Sequence, residues 1–325
     1  MSTETDELSN SYCLSEAFIG GQKFPIDACR HAVLNDALNS VISAMEIEEL
    51  FQVFAQSFLR FEKDLLEMSL HYTYATFSNS GEFDKFFSNV RHSFNVNIIT
   101  ILTAFQSYVD QSDKILKHTT HLPTAREFNK NAGSETFDTF LSYRVCNQLR
   151  NYAQHQALPL SGFSIGANSD LVQNADGTTR KVSDGYGVFP WLDVPKFTAS
   201  SKISPKVRNE LNDLGYSKID IIWLIRSFAK AMYDRHAKIR EFFGPFVEAA
   251  GLEITSGYEH ASAAKGSTAN FLELHGNGEQ RPMRNDGANK VLKDFETFRS
   301  LKNADRKYVT SQIKPRKETY SDLEN

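Results

Sequence analysis

Cysteine is scarce in this chain, with three residues, Cys13, Cys29 and Cys146, among 325. The count is odd and no CxxC pair occurs, which argues against both a disulfide framework and a cysteine-built zinc site. An excess of positive charge is also missing. The formal net charge is -4, unlike that of a protein that coats nucleic acid, so any contact with RNA has to be local. No run of about 18 apolar residues is present, and neither a membrane span nor a membrane partner is expected. The opening residues, MSTETDELSNSYC, are acidic and polar, with neither the basic start nor the apolar core of a secretory signal. Together with the cysteine usage, this predicts a cytoplasmic protein.

What is present is apolar periodicity. Hydrophobic residues make up 41% of the chain, enough for a substantial core. At about 100–200 residues per domain, the length suggests one elaborated domain or two. Residues 1–30 read as a flexible lead-in. From near Met45, the residues Ile47, Leu50, Phe51, Phe54, Phe58, Phe61, Leu65 and Met68 recur three or four apart and predict a long amphipathic helix. Ser78-Asn79-Ser80-Gly81 interrupts it. Phe83, Phe86, Phe87, Val90, Phe94, Ile98, Ile101, Phe105 and Tyr108 then form a second stripe, and the short break predicts an antiparallel helical hairpin. A third helix is expected to start at Ser134 and to end before Leu158-Pro159.

Residues 159–204 are rich in Gly, Asn, Asp, Ser and Thr. Asn174-Ala175-Asp176-Gly177 lies between two strand-like pieces and predicts a β-hairpin insertion. Ser204-Pro205 restarts helix with a capping residue and a first-turn proline. Ile222, Ile225, Ala229, Met232, His236, Ile239, Phe243 and Phe246 give a fourth long helix running to Gly251. Residues 252–305 read as an α/β appendage with a strand near Leu272 and a last short helix at 288–302. His275-Gly276-Asn277-Gly278 marks a tight turn, and residues 306–325 form a polar, locally basic tail. The fold class is therefore mainly α: an antiparallel helical bundle over 31–251 with a small β insertion and a C-terminal appendage.

The third helix ends in Arg150-Asn151-Tyr152-Ala153-Gln154-His155. Histidine has the unperturbed pKa nearest neutrality, which suits proton transfer, and arginine offers a permanently charged planar fork that matches phosphate. No carboxylates cluster there, so the residues call for neither metal nor cofactor. Residues five apart lie roughly 140° apart around a helix, so Arg150 and His155 do not share one face. Arg144, Asn147, Asn151 and His155 do, as a polar lane beside the apolar edge.

An arginine, then a polar residue, then a histidine after four to six positions, at the end of a helix that follows a long helical hairpin, resembles the HEPN superfamily. Phe94-Asn95-Val96-Asn97 with Tyr108-Val109-Asp110 is similar to the polar-marked second helix of several of its groups. The resemblance covers roughly residues 40–250. It implies a metal-independent endoribonuclease, with His155 as general acid or base, Arg150 stabilising the transition state and Asn151 in support. It implies a homodimer acting on RNA by attack of the ribose 2′-OH, leaving 2′,3′-cyclic phosphate and 5′-OH ends. A role as a toxin or phage-defence effector, with an antitoxin or regulatory protein as partner, is implied as well. The alternative is a non-catalytic HEPN-like module that binds RNA or protein.

Two further residues have a structural reading. Asn97 falls on the apolar stripe of the second helix and is expected as a buried packing group. His236 is expected as a satisfied core histidine. His118-Thr119-Thr120-His121 has ligand-like spacing only.

Overall fold

Stripes of buried phenylalanine set the architecture. The computed structural model describes residues 12–74, 76–118, 122, 124–173, 177–297 and 299. In chain order the elements are β1 (Cys13–Glu16), β2 (Lys23–Pro25), α1 (Ala28–Tyr74), α2 (Ser80–His118), α3 (Ala125–Thr139), α4 (Leu141–His155), β3 (Gly162–Gln173), β4 (Thr179–Asp193), α5 (Val194–Thr198), α6 (Pro205–Asp213), β5 (Lys218–Asp220), α7 (Ile221–Lys265), β6 (Leu272–Gly276), β7 (Glu279–Pro282) and α8 (Gly287–Glu296). The protein is mainly α, as expected. Among the described residues no helix is long and apolar enough to cross a membrane. Residues 1–11, Thr119-Thr120-His121, Asn174-Ala175-Asp176 and the tail from residue 300 lie outside the described residues.

The chain divides into two compact units. The first takes the described parts of Met1–Gln52, Tyr108–Ser134 and Asp234–Ser300. It contains a four-stranded antiparallel sheet of order β2-β1-β6-β7. The flexible lead-in expected over 1–30 is thus corrected from residue 13 onward. Leu14 is fully buried and pairs with Leu274 in the interior of that sheet. The β6–β7 hairpin turns through Asn277 (φ 53°) and Gly278 (φ 78°), a tight turn with two left-handed residues, as the sequence predicted.

The second unit comprises Val53–Ser107 and Glu135–Tyr233. Its core is aromatic: Phe228 meets Phe54 and Phe105 edge-on at 5.7 and 5.1 Å, and Phe61 meets Phe94 at 6.1 Å. Beside it lies the three-stranded sheet β3-β4-β5. The β3–β4 pair is the expected hairpin, with Gln173 opposite Thr179. The helices expected as one bundle over 31–251 are shared out between the two units.

Several helix limits differ from expectation for identifiable reasons. α1 begins 17 residues before Met45, at Ala28. Asp27 caps it by accepting the Arg30 N–H at 2.7 Å, and its early stripe uses smaller buried residues, Leu34, Ala37, Val41 and Ala44. α2 opens on a capping arrangement in which Asn79 accepts the Glu82 N–H and the Glu82 carboxylate accepts the Ser78 N–H. The expected third helix is two helices. Phe140 is extended (φ -109°, ψ 113°) and separates α3 from α4, so Ser134 lies inside α3 and starts nothing. α6 opens as predicted, with Ser204 accepting the Val207 N–H. Gly251 does not end α7, which continues to Lys265. A Cβ at Gly251 would stand 2.9 Å from the Ala288 Cβ, so this glycine serves close packing against α8 rather than termination.

Candidate functional site

α4 is held by its apolar edge and by its polar neighbours. Val145, Cys146, Leu149 and Tyr152 are buried, and Tyr152 meets Phe197 edge-on at 5.4 Å. Burial pushes the Cys146 thiol above its ordinary range, so this cysteine packs and does not react. The helix stops where the Tyr152 carbonyl accepts both the Gln156 and the Ala157 N–H. Beyond the stop, the Leu160 N–H is buried and donates to the Asn95 side-chain oxygen at 3.1 Å. Asn95 in turn donates to the Arg91 carbonyl, so α2 fixes the path the chain takes on leaving the motif.

The polar lane divides. Arg144 is 5% exposed and fully engaged. Its Nε donates to Glu210 Oε2 at 2.9 Å, its Nη2 donates to Glu210 Oε1, and its Nη1 donates to the carbonyls of Phe137 and Asp138. Those carbonyls lose their helical partners at the Phe140 break, and the guanidinium replaces them. Arg144 is thereby a structural cap rather than a lane residue facing a ligand. Asn147 is half-buried on the same helix. Gln148, which the sequence did not single out, accepts the Ser204 N–H at 3.1 Å and ties α4 to the start of α6. Neither Glu210 nor Gln148 carries a sequence signal for these contacts.

The end of α4 is different. Arg150 is half-buried, and its Nη1 donates to the Asn151 side-chain oxygen at 3.0 Å. Its Nε is buried with no hydrogen-bond partner. His155 closes the helix and is exposed. The structure thus brings Arg150 and Asn151 together. It leaves His155 on another side of α4, as five residues of helical rotation require.

In the first unit, a second polar cluster surrounds His236, which is 1% exposed. Burial pushes this imidazole down to about 4, so the ring is neutral and carries one N–H. Glu48 only accepts, which places that hydrogen on Nε2, 2.9 Å from Glu48 Oε2. The Nδ1 atom then accepts the Tyr108 hydroxyl at 3.0 Å. Burial pushes the Glu48 carboxyl up, but the hydrogen bonds from His236 and Arg240 outweigh this and hold it below its usual value. Phe51 stacks on the imidazole at 3.9 Å and closes the cluster. His236 is the satisfied core histidine expected of it. Asn97 is also buried as expected, but it has a specific partner, Asp64, at 2.8 Å.

No family model, curated protein or solved structure matches this chain.

Proposed function

We propose that this chain is a metal-independent endoribonuclease of the HEPN kind that acts as a homodimer, with Arg150, Asn151 and His155 as its working residues. The observation that carries this reading is the contrast along α4. Arg144 has every nitrogen engaged in holding the fold, whereas half-buried Arg150 has one side-chain partner, Asn151, and His155 is exposed. A tethered arginine and an accessible imidazole are the two groups that phosphate chemistry at neutral pH needs, and within one chain they lie on different sides of α4.

In this reading one His155 removes the proton of a ribose 2′-OH, whose oxygen attacks the adjacent phosphorus. The phosphorus–O5′ bond breaks, and a second His155, supplied by another copy of the chain, protonates the departing 5′ oxygen. Arg150 donates to the equatorial oxygens, where negative charge builds, and Asn151 orients the guanidinium. Two copies answer the rotation along α4, because the groups that do not converge within one chain converge across a pair. A toxin or phage-defence role, countered by a protein partner, belongs to the same proposal.

The test is cleavage of mixed RNA by the purified protein in the presence of EDTA, beside His155→Ala. Wild type is expected to leave cyclic-phosphate ends, and the variant to lose about 100-fold or more of the rate with an unchanged melting temperature. Equal rates in the two proteins would remove His155 from the chemistry. Absence of cleavage by dimeric wild type would favour the binding module.

A further inference from the structure

The second unit contains a cavity of about 510 Å³ between the end of α1 and the start of α2. That volume falls within the range of small-molecule sites. One wall is apolar and aromatic. Phe77, Phe86 and His71 are in mutual contact at centroid distances of 5.0 to 6.4 Å, with Met68 and Val90 alongside. The same lining carries three carboxylates, Asp64, Glu67 and Glu82, and one ammonium, Lys85.

The carboxylates are not equivalent. Glu82 is occupied in capping α2, where it accepts the Ser78 N–H. Asp64 is held in place through one oxygen, Oδ2, which accepts from Asn97 at 2.8 Å and Ser93 at 3.5 Å. Asn97 is 4% exposed and would be costly to bury without a partner. Its placement fixes Asp64 at the cavity while its own amide is satisfied. Glu67 is exposed at the rim. An aromatic wall attracts cations through the negative face of its rings, and a positioned carboxylate attracts them by charge.

We infer that this cavity binds a small organic ammonium ion. Its apolar body lies against Phe77, Phe86, Met68 and Val90, and its charged nitrogen is met by Asp64 and Glu67. The charge sign is opposite to that of a phosphate site, so this pocket is independent of the ribonuclease reading and stands or falls without it.

The test is calorimetric titration of the full chain with three probes of one shape: phenethylammonium, 2-phenylethanol and phenylacetate. Saturable binding of the ammonium, about tenfold or more tighter than the alcohol and with no detectable binding of the carboxylate, is the expected result. Glu67→Gln at the exposed rim and Asp64→Asn should each weaken the ammonium several-fold and leave the alcohol unchanged. Phe77→Ala should weaken both. Equal affinity for ammonium and alcohol would overturn the assignment. So would failure of the ammonium to saturate, or ammonium affinity unchanged in both carboxylate variants at wild-type melting temperature.

Discussion

His236 in the first unit and His155 in the second both belong to helices, and each has an arginine within five residues in the sequence. His236 has Tyr108 on one ring nitrogen and Glu48 on the other, with Phe51 stacked over its face. His155 is exposed at the last position of α4. A buried polar group costs several kcal/mol unless its hydrogen bonds are made, so evolution of a stable core consumes the imidazole completely. A group that exchanges protons with a ligand has to remain reachable. The same side chain is fully engaged in one unit and exposed in the other, and its surroundings decide which.

Removing the partners of the buried histidine should produce the largest change. Glu48→Ala leaves the Arg240 guanidinium, 7% exposed, without its carboxylate. The expected loss is roughly 3–5 kcal/mol in urea unfolding. RNA cleavage per folded molecule should be untouched. A variant that loses activity in proportion beyond its folded fraction would break the separation between the two regions.

Acid probes the same contrast without mutation. Folding lowers His236 from 6.5 to about 4, so the unfolded chain takes up the proton first. Stability should be complete above about pH 6.5 and fall by on the order of 3 kcal/mol as pH drops toward 4, measured by urea midpoints. The depressed Glu48 carboxyl acts in the same direction below its ordinary value of 4.5. His236→Phe should flatten the upper part of that fall. An unchanged profile would show that His236 is not what the acid titrates.

Within α4 the comparison repeats between two arginines. Arg144→Ala should cost roughly 2–3 kcal/mol, since it strips Glu210 and two carbonyls of their donor. Arg150→Ala should move stability by less than about 0.5 kcal/mol, yet lower RNA cleavage about 100-fold. Stability and activity changing together in both variants would end the distinction between cap and site. The smallest effect belongs to Asn151→Ala, which frees the Arg150 guanidinium. Its expected signature is a rate about tenfold lower, with an unaltered unfolding midpoint.

Composition and period alone determined the helical class, the break between α1 and α2 at Ser78-Asn79 (Ser80 and Gly81 already belong to α2), the β3–β4 hairpin, the Ser204-Pro205 helix start and the Asn277-Gly278 turn. Each depends on residues within a few positions of one another, through side-chain spacing, capping or backbone freedom. They also made Arg150-Asn151 adjacent and put His155 five residues further on. Only the tertiary structure decided that Leu14 is core, that Gly251 packs rather than terminates, and that α3 and α4 part at Phe140. It alone separated Arg144 from Arg150, two arginines on one helix that the sequence presents alike. The physical reason is that burial and hydrogen-bond satisfaction are set by residues distant in the chain. Glu210 lies 66 positions from Arg144, and Glu48 lies 188 positions from His236, so no local pattern could announce either pairing.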